Sequence, residues 1–208
     1  EDLPQVLHSM KTGAERICAL VESLRNFSRT DEYFKSLVDL HEGIEGTLVI
    51  LQNQLKPNGA QLGIQVYKEY GKLPLVECYA GKMSQVFMNL IGNAIEALRD
   101  WLESGYSGAI EPTIWVKTEV VSDEDEEPEK VIIRIIDNGP GMTEEVRQKL
   151  FDKFFTTKPV GKGTGLGLSI SYQIVVEKHG GKLDCISAPG QGAEFVIELP
   201  VELEGCSQ

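Results

Sequence analysis

The sequence predicts an α+β protein that opens with a long helix. Three observations carry this: an apolar heptad at the start, two later segments of helical periodicity, and runs of strict alternation in the second half separated by Gly, Pro and Asn turn signals. The 208 residues leave room for one substantial domain plus an extra element, or for two small domains. A net charge of −12 argues against a nucleic-acid partner held by a general basic surface, though not against a local cationic pocket. Cys18, Cys78, Cys185 and Cys206 are scattered, without the close spacing of a zinc site or the density of a disulfide scaffold, which fits a reducing, cytosolic setting. No segment approaches the ~20 apolar residues of a membrane span, and the start does not read as a signal peptide. Because the chain begins at Glu1 without methionine, the expectation is a piece of a longer protein whose sensor or membrane regions lie elsewhere.

From Leu3 to Phe27 the apolar positions Leu3, Val6, Met10, Gly13, Ile17, Leu20, Leu24 and Phe27 alternate gaps of three and four, and Leu7, Ala14 and Val21 widen the seam. That is the face of a helix within a bundle, which needs a hairpin partner or a second chain to bury it. His8 reads as a surface or flank residue of this helix. Asp39 to Leu55 forms a second helix with Leu40, Ile44, Leu48 and Leu51 in step, ended by Pro57, Asn58 and Gly59. Leu62, Ile64 and Val66 alternate as a strand, and Leu75 to Tyr79 is expected to pair with it across a turn at Gly71 to Pro74.

Lys82 to Leu102 is the next helix, with an apolar stripe through Val86, Leu90, Ile91, Ala94, Ile95 and Leu98 beside a polar row of Gln85, Asn89, Asn93 and Glu96. Asn89 and Asn93 sit one turn apart and project together. Asparagine is a poor helix former, and its amide is either a solvent-facing or capping group here or a neutral ligand for Mg²⁺ and phosphate. Thr113 to Val121 and Val131 to Ile136 read as a hairpin across the acidic run 123–129, the second suited to the centre of a sheet. It ends in Asp137-Asn138-Gly139-Pro140-Gly141, which reads either as an ordinary turn or as a carboxylate able to accept from an exocyclic amine such as that of adenine.

Thr143 caps a short helix, followed by Phe151, Phe154 and Phe155, then Thr156, Thr157 and Lys158. The aromatics suit core packing, or the anchoring of a closing lid. Gly161 to Ser169, GKGTGLGLS, precedes an apolar helix through Leu166, Leu168, Ile170, Ile174, Val175 and Val176 that ends at His179, which suits the dipole there as a capping residue. The glycines read either as a flexible loop or as a phosphate cradle at a helix start. Lys182 to Ser187 and Ala193 to Leu199 close the chain as strands around Pro189-Gly190. No strand precedes the glycines and no G-x-x-x-x-G-K-[ST] occurs, so the two common nucleotide-binding folds are disfavoured.

Taken together, NLIGNA at Asn89 to Ala94, DNGPGM at Asp137 to Met142, FDKFF at Phe151 to Phe155, GKGTGLGLS and GQG at Gly190 to Gly192 resemble, in order, the N, G1, F, G2 and G3 boxes of sensor histidine kinases. The resemblance covers about Val38 to Val201. It implies a two-layer α/β sandwich of the Bergerat ATP-binding type, a mixed sheet packed on helices. The chain would divide into 1–37, the second helix of a dimerisation and phosphotransfer hairpin with LRNFSR at Leu24 to Arg29, and 38–208, the catalytic ATP-binding domain.

Carried over, Asn93 would be the Mg²⁺ ligand, Asn89 its neighbour near the phosphates, and Asp137 the adenine-reading carboxylate. Gly139 and Gly141 would admit base and ribose, Gly163, Thr164, Gly165, Leu166 and Gly167 would line the triphosphate, and Lys158 and Lys162 would neutralise it. A basic residue often stands three positions after the magnesium asparagine in the family, whereas this chain has Glu96, which leaves the source of positive charge open. The ATP-hydrolysing relatives carry a glutamate four residues before that asparagine; here Asn89 cannot act as a base, which favours transfer to a protein over hydrolysis. His8 is followed by Ser9, Met10 and Lys11 and does not match the family's phosphoacceptor pattern, so that histidine is expected outside this chain. The resemblance therefore implies a cytoplasmic histidine kinase fragment using ATP and Mg²⁺. Its expected partners are ATP or ADP, a response regulator receiver domain and a second copy through the N-terminal helix, but no nucleic acid. The alternatives are a degenerate nucleotide-binding module without phosphotransfer and, further off, an ATPase of the topoisomerase or chaperone kind.

Overall fold

A computed structural model describes residues 34–57, 62–104, 111–122, 130–158 and 164–201. The heptad helix with His8, the acidic run, Lys162 and Gly163 lie outside these residues. Strand β1 (Ser36–Val38) leads into helix α1 (Leu40–Leu55), whose N-terminus is capped by Asp39 Oδ1 accepting from His41 N at 2.8 Å. Leu40, Ile44, Leu48 and Leu51 are its buried stripe, as the spacing predicts. Lys56 leaves the helix with ψ 154°, the extended conformation that the following Pro57 imposes. The Arg99 guanidinium then donates to Gln54 O at 2.8 Å, capping a carbonyl that α1 leaves open, and to Leu62 O at 3.1 Å on the approach to the next strand.

Strand β2 (Gln65–Tyr70) and strand β3 (Val76–Cys78) do not form the expected hairpin. β3 pairs antiparallel with β1, and β2 pairs parallel with strand β4 (Thr113–Val121). The reason lies at Gly71, whose N–H continues the β2 pairing by donating to Thr118 O at 2.8 Å and Thr118 Oγ1 at 3.0 Å instead of turning the chain back. The nine-residue β4 also offers a far longer ladder than the three residues of β3.

Helix α2 (Ala80–Glu103) buries Met83, Val86, Phe87, Leu90, Ile91, Ala94, Ile95 and Leu98 between α1 and the sheet. β4 and strand β5 (Lys130–Asp137) form the expected antiparallel hairpin, and β5 is central, flanked over its length by β4 and β7 (Ala193–Pro200). With β6 (Lys182–Ser187) the sheet has five strands in the order β2-β4-β5-β7-β6, mixed because only the β2 edge is parallel. Its inner face, including Ile114, Val116, Ile133, Ile135, Phe195 and Ile197, packs on the helices. The outer face carries an ion-pair lattice in which Arg134 reaches Glu194 at 2.7 Å and Glu119 at 3.2 Å, and Lys130 reaches Glu198 at 2.8 Å.

After helix α3 (Glu144–Lys149), capped by Thr143, the chain returns in helix α4 (Gly167–Tyr172), which runs on as a π-helical stretch, Gln173–Lys178. The expected single buried helix is thus corrected. Ile174 and Val175 are buried, whereas Leu166, Leu168 and Ile170 are only half-buried and the polar Ser169 and Ser171 take the buried positions. Both hydroxyls are satisfied within the helix, Ser169 on Leu166 O at 3.0 Å and Ser171 on Gly167 O at 2.9 Å. His179 is buried at 1 % exposure and does more than sit at a dipole. Its Nε2 accepts from Tyr79 N at 3.0 Å, so Nδ1, 2.7 Å from Ile174 O, is the donor. It is a neutral bridge from the end of the π-helical stretch to the start of α2, and burial holds its pKa below the ordinary value.

Candidate functional site

A cleft of about 560 Å³ opens between α2, the ends of β5 and β7, α3 and the start of α4. Asp137 ends β5 at its floor, 5 % exposed, with Oδ1 accepting from Gly139 N at 2.9 Å. Burial pushes its pKa up to about 6, against the opposing pull of backbone donors from Gly139 and Ala193. No cation pairs with it among the described residues, so the carboxylate keeps acceptor capacity directed at the cleft.

The loop that carries Asp137 is locked by backbone packing. Gly141 and Gly192 have φ +68° and +72°; a Cβ on the first would lie 2.0 Å from Ala188 O, and on the second 1.9 Å from Asp137 O. Gly190 N donates to Pro140 O at 2.7 Å, while the Ser187 hydroxyl donates to Gly192 O at 2.6 Å and accepts from Met142 N at 2.9 Å. A Cβ at Gly139 would crowd Asp137 Oδ1 at 2.7 Å. These glycines therefore have a task inside the protein, that of interlocking the two turns beneath the carboxylate. Ser187 is a member of this unit that the sequence did not single out, since a serine before a Pro-Gly turn is an ordinary occurrence.

On the opposite wall, Asn89 Nδ2 donates to Gly167 O at 3.0 Å and to Ser171 Oγ at 3.2 Å, stapling α2 to the first turn of α4. Asn93, one turn on, lines the cleft, half-buried, and its side-chain amide has no protein hydrogen-bond partner among the described residues. Its amide oxygen suits a Mg²⁺ ion that takes its remaining ligands from phosphate and water. The described residues contain no cluster of His, Cys, Asp and Glu that could hold a metal by itself. Glu96, a further turn along, pairs with Lys158 from the segment after Phe155.

Thr164, Gly165 and Gly167 line the cleft where α4 begins, and Leu166 is the N-cap residue, with no side chain capping the helix. Gly165, at φ +63°, accepts from Phe154 N at 2.9 Å. Phe154 itself has φ +67° and an exposed ring, Phe155 lines the cleft, and Phe151 packs against Tyr172 at 5.3 Å. Met142, Val146, Leu150, Leu168 and Phe195 supply the apolar part of the lining.

The arrangement can hold a flat, amine-bearing ring against Asp137 and an anionic tail beside Asn93 and the start of α4. No imidazole or thiol lines it among the described residues. Of the residues nominated from sequence, Asn89, Asn93, Asp137, Gly141, Lys158, Thr164, Gly165 and Gly167 come together on this cleft, while Gly139 and Leu166 lie in its supporting turns.

The family model described as "Histidine kinase-, DNA gyrase B-, and HSP90-like ATPase" matches residues 79–203. The sensor kinase CckA of Brucella abortus is 31% identical over 97% of this chain, which spans 20% of that protein. The sensor histidine kinase ZraS of Klebsiella oxytoca is 32% identical over 92% of this chain and 37% of its own length. The chain thus spans well under half of these curated relatives. Among solved structures, the nucleotide-free catalytic domain of histidine kinase ThkA aligns with a TM-score of 0.63 at 30% identity, over 80% of this chain and 95% of that one. ThkA in complex with the response regulator TrrA aligns at 0.60 and 25% identity, over 97% of this chain and 52% of that one.

Proposed function

Because the chain belongs to the histidine kinase-, DNA gyrase B- and HSP90-like ATPase family, as the ATP-binding domain of a sensor histidine kinase, we propose that it holds Mg-ATP for transfer of the γ-phosphate to a histidine outside this chain, from which the phosphate passes to an aspartate of a response regulator. The observation that carries this reading is the pairing, across one cleft, of a buried carboxylate, Asp137, with a side-chain amide, Asn93, the first without a cation and the second without a partner among the described residues. Asp137 accepts a hydrogen bond from the adenine amine, and the apolar lining holds the ring. Asn93 would offer its amide oxygen to Mg²⁺, which when bound would neutralise charge on the phosphates. Lys158 and Lys162 would add charge, and the glycine-rich run through Gly167 would admit the triphosphate. The attacking imidazole nitrogen forms a bond to the γ-phosphorus as the bond to the β,γ-bridging oxygen breaks and ADP departs, so this chain's task is positioning and charge stabilisation.

Two features favour transfer to protein over hydrolysis. Asn89 has no basic group, and its NH₂ is engaged on Gly167 and Ser171. We further propose that residues 1–37 form the second helix of a dimerisation hairpin, that the intact protein pairs through it, and that the domain works in the cytoplasm. The expected boundary runs through β1, whose residues Ser36–Val38 pair with β3. No helix among the described residues is long and apolar enough to cross a membrane. The response regulator in the ThkA complex supports a like partner for this chain.

Mixing the chain with its upstream histidine-bearing segment and γ-labelled ATP tests the proposal. Acid-labile label on that histidine is expected. Its persistent absence, or steady release of free phosphate by the chain alone, would overturn it.

A further inference from the structure

The Glu96–Lys158 pair bridges the cleft between two elements that are remote in sequence. Glu96 follows Asn93 by one turn on α2, so its carboxylate stands at the same end of the cleft as that amide. Lys158 arrives from the segment after Phe155 and is the only cationic side chain lining the cleft among the described residues, in a lining that also holds the carboxylates of Glu96, Asp100 and Asp137. Resting on the nucleotide reading above, we propose that Glu96 and Lys158 form an exchangeable latch. Glu96 holds the ammonium at the rim, the phosphates of a nucleotide take it over, and the exchange sets how strongly the site prefers polyphosphates to the bare nucleoside.

Three features make the pair suitable for exchange. The side chains are 51% and 31% exposed, so Glu96 returns to water at little cost when its partner leaves. An ammonium has three donors, so a phosphate oxygen can bind before the carboxylate lets go. A triphosphate also carries several times the charge of one carboxylate and competes for the cation accordingly. A lysine buried against its carboxylate would lack this freedom, and an unpaired lysine would meet the phosphates with no competitor.

Calorimetric titration of the 208-residue chain with adenosine, ADP and ATP at fixed Mg²⁺ tests the latch in Glu96→Gln, Lys158→Gln and the double variant, with urea unfolding confirming that each is folded. Glu96→Gln is expected to tighten ATP about two- to fivefold, the range of an exposed ion pair, with less effect on ADP and none on adenosine. Lys158→Gln should weaken ATP and spare adenosine. In the Lys158→Gln background the gain from Glu96→Gln should shrink to less than about half. Weaker ATP binding in Glu96→Gln would overturn the latch, as would an equal gain in both backgrounds, which is simple repulsion, or an unaffected ATP affinity in Lys158→Gln. A wild-type chain that binds neither adenosine nor ATP would instead overturn the underlying nucleotide reading, and the latch with it.

Discussion

Asp137 is a carboxylate that the fold keeps at a disadvantage, raised from its ordinary value of 3.8 to about 6 by burial. The folded state binds its proton more readily than the unfolded state, so this contribution to stability is complete below the unfolded value and is lost as pH climbs through about 6. On the proposed reading ligand binding runs the other way, because the adenine amine would donate to the carboxylate and not to its protonated oxygen. Adenosine affinity should therefore fall as pH drops below about 6. Asp137→Asn should cost about ten- to hundredfold in affinity, the worth of a charged hydrogen bond, and flatten this pH profile while leaving the unfolding midpoint at pH 7.5 unlowered. A large loss of stability in that variant would make Asp137 a structural residue. His179 has the opposite sign: buried and neutral, with its folded pKa lowered, it contributes stability above its unfolded value near 6.5 that is lost as pH falls. Replacing it by Phe orphans Tyr79 N, removes the bond to Ile174 O and should cost roughly 1–3 kcal/mol in urea unfolding, with adenosine affinity unchanged. Asp137 and Asn93 were legible in the sequence because each belongs to a local pattern, a strand-end turn and a helical row. The partners of His179, Ser187 and Glu96 were not, because a side chain's choice among groups far along the chain leaves no periodic mark.

At the scale of elements the same contrast recurs. Helices α1 and α2 and the hairpins β4–β5 and β6–β7 follow from spacing and turn residues alone, because each depends on near neighbours in the chain. The partner of β2 depends on a crossover of more than forty residues, and alternation at Val66 says which face is buried but not which strand lies alongside. The junction of the Phe154 segment with α4 is a further case. Phe154 and Gly165 meet back to back, both with positive φ, and a Cβ on Gly165 would come within 2.4 Å of Phe154 C. A non-glycine residue in that conformation costs about 1–2 kcal/mol, and the Phe154 ring, 72 % exposed, recovers little of it by burial. Phe154→Asn should therefore raise stability by roughly 0.5–1 kcal/mol in urea unfolding, since asparagine tolerates the left-handed region. A loss instead would show that the ring has a contact worth more than the strain.

For the whole molecule, charge decides how the ligand is held. The chain carries −12 overall, and the cleft sets the carboxylates of Glu96, Asp100 and Asp137 against the single ammonium of Lys158 among its described lining residues. The ammonium of Lys158 offsets only part of a triphosphate's charge in such a field, and Asn93 contributes a dipole but no charge. The divalent ion is therefore expected to supply most of the attraction at the phosphate end, while the nucleoside end relies on Asp137 and the apolar lining. The order of motifs along the sequence made both ends legible, but the balance of charge between them depends on which side chains line one cleft, and only the fold determines that. Removing Mg²⁺ with EDTA should weaken ATP at least about tenfold, ADP less, and adenosine not at all, read by titration or by the ligand-induced rise in unfolding temperature. Asn93→Ala should reproduce most of that loss for ATP and make the remaining affinity insensitive to EDTA. If the variant kept its full response to EDTA, the ion would be held by groups other than this amide.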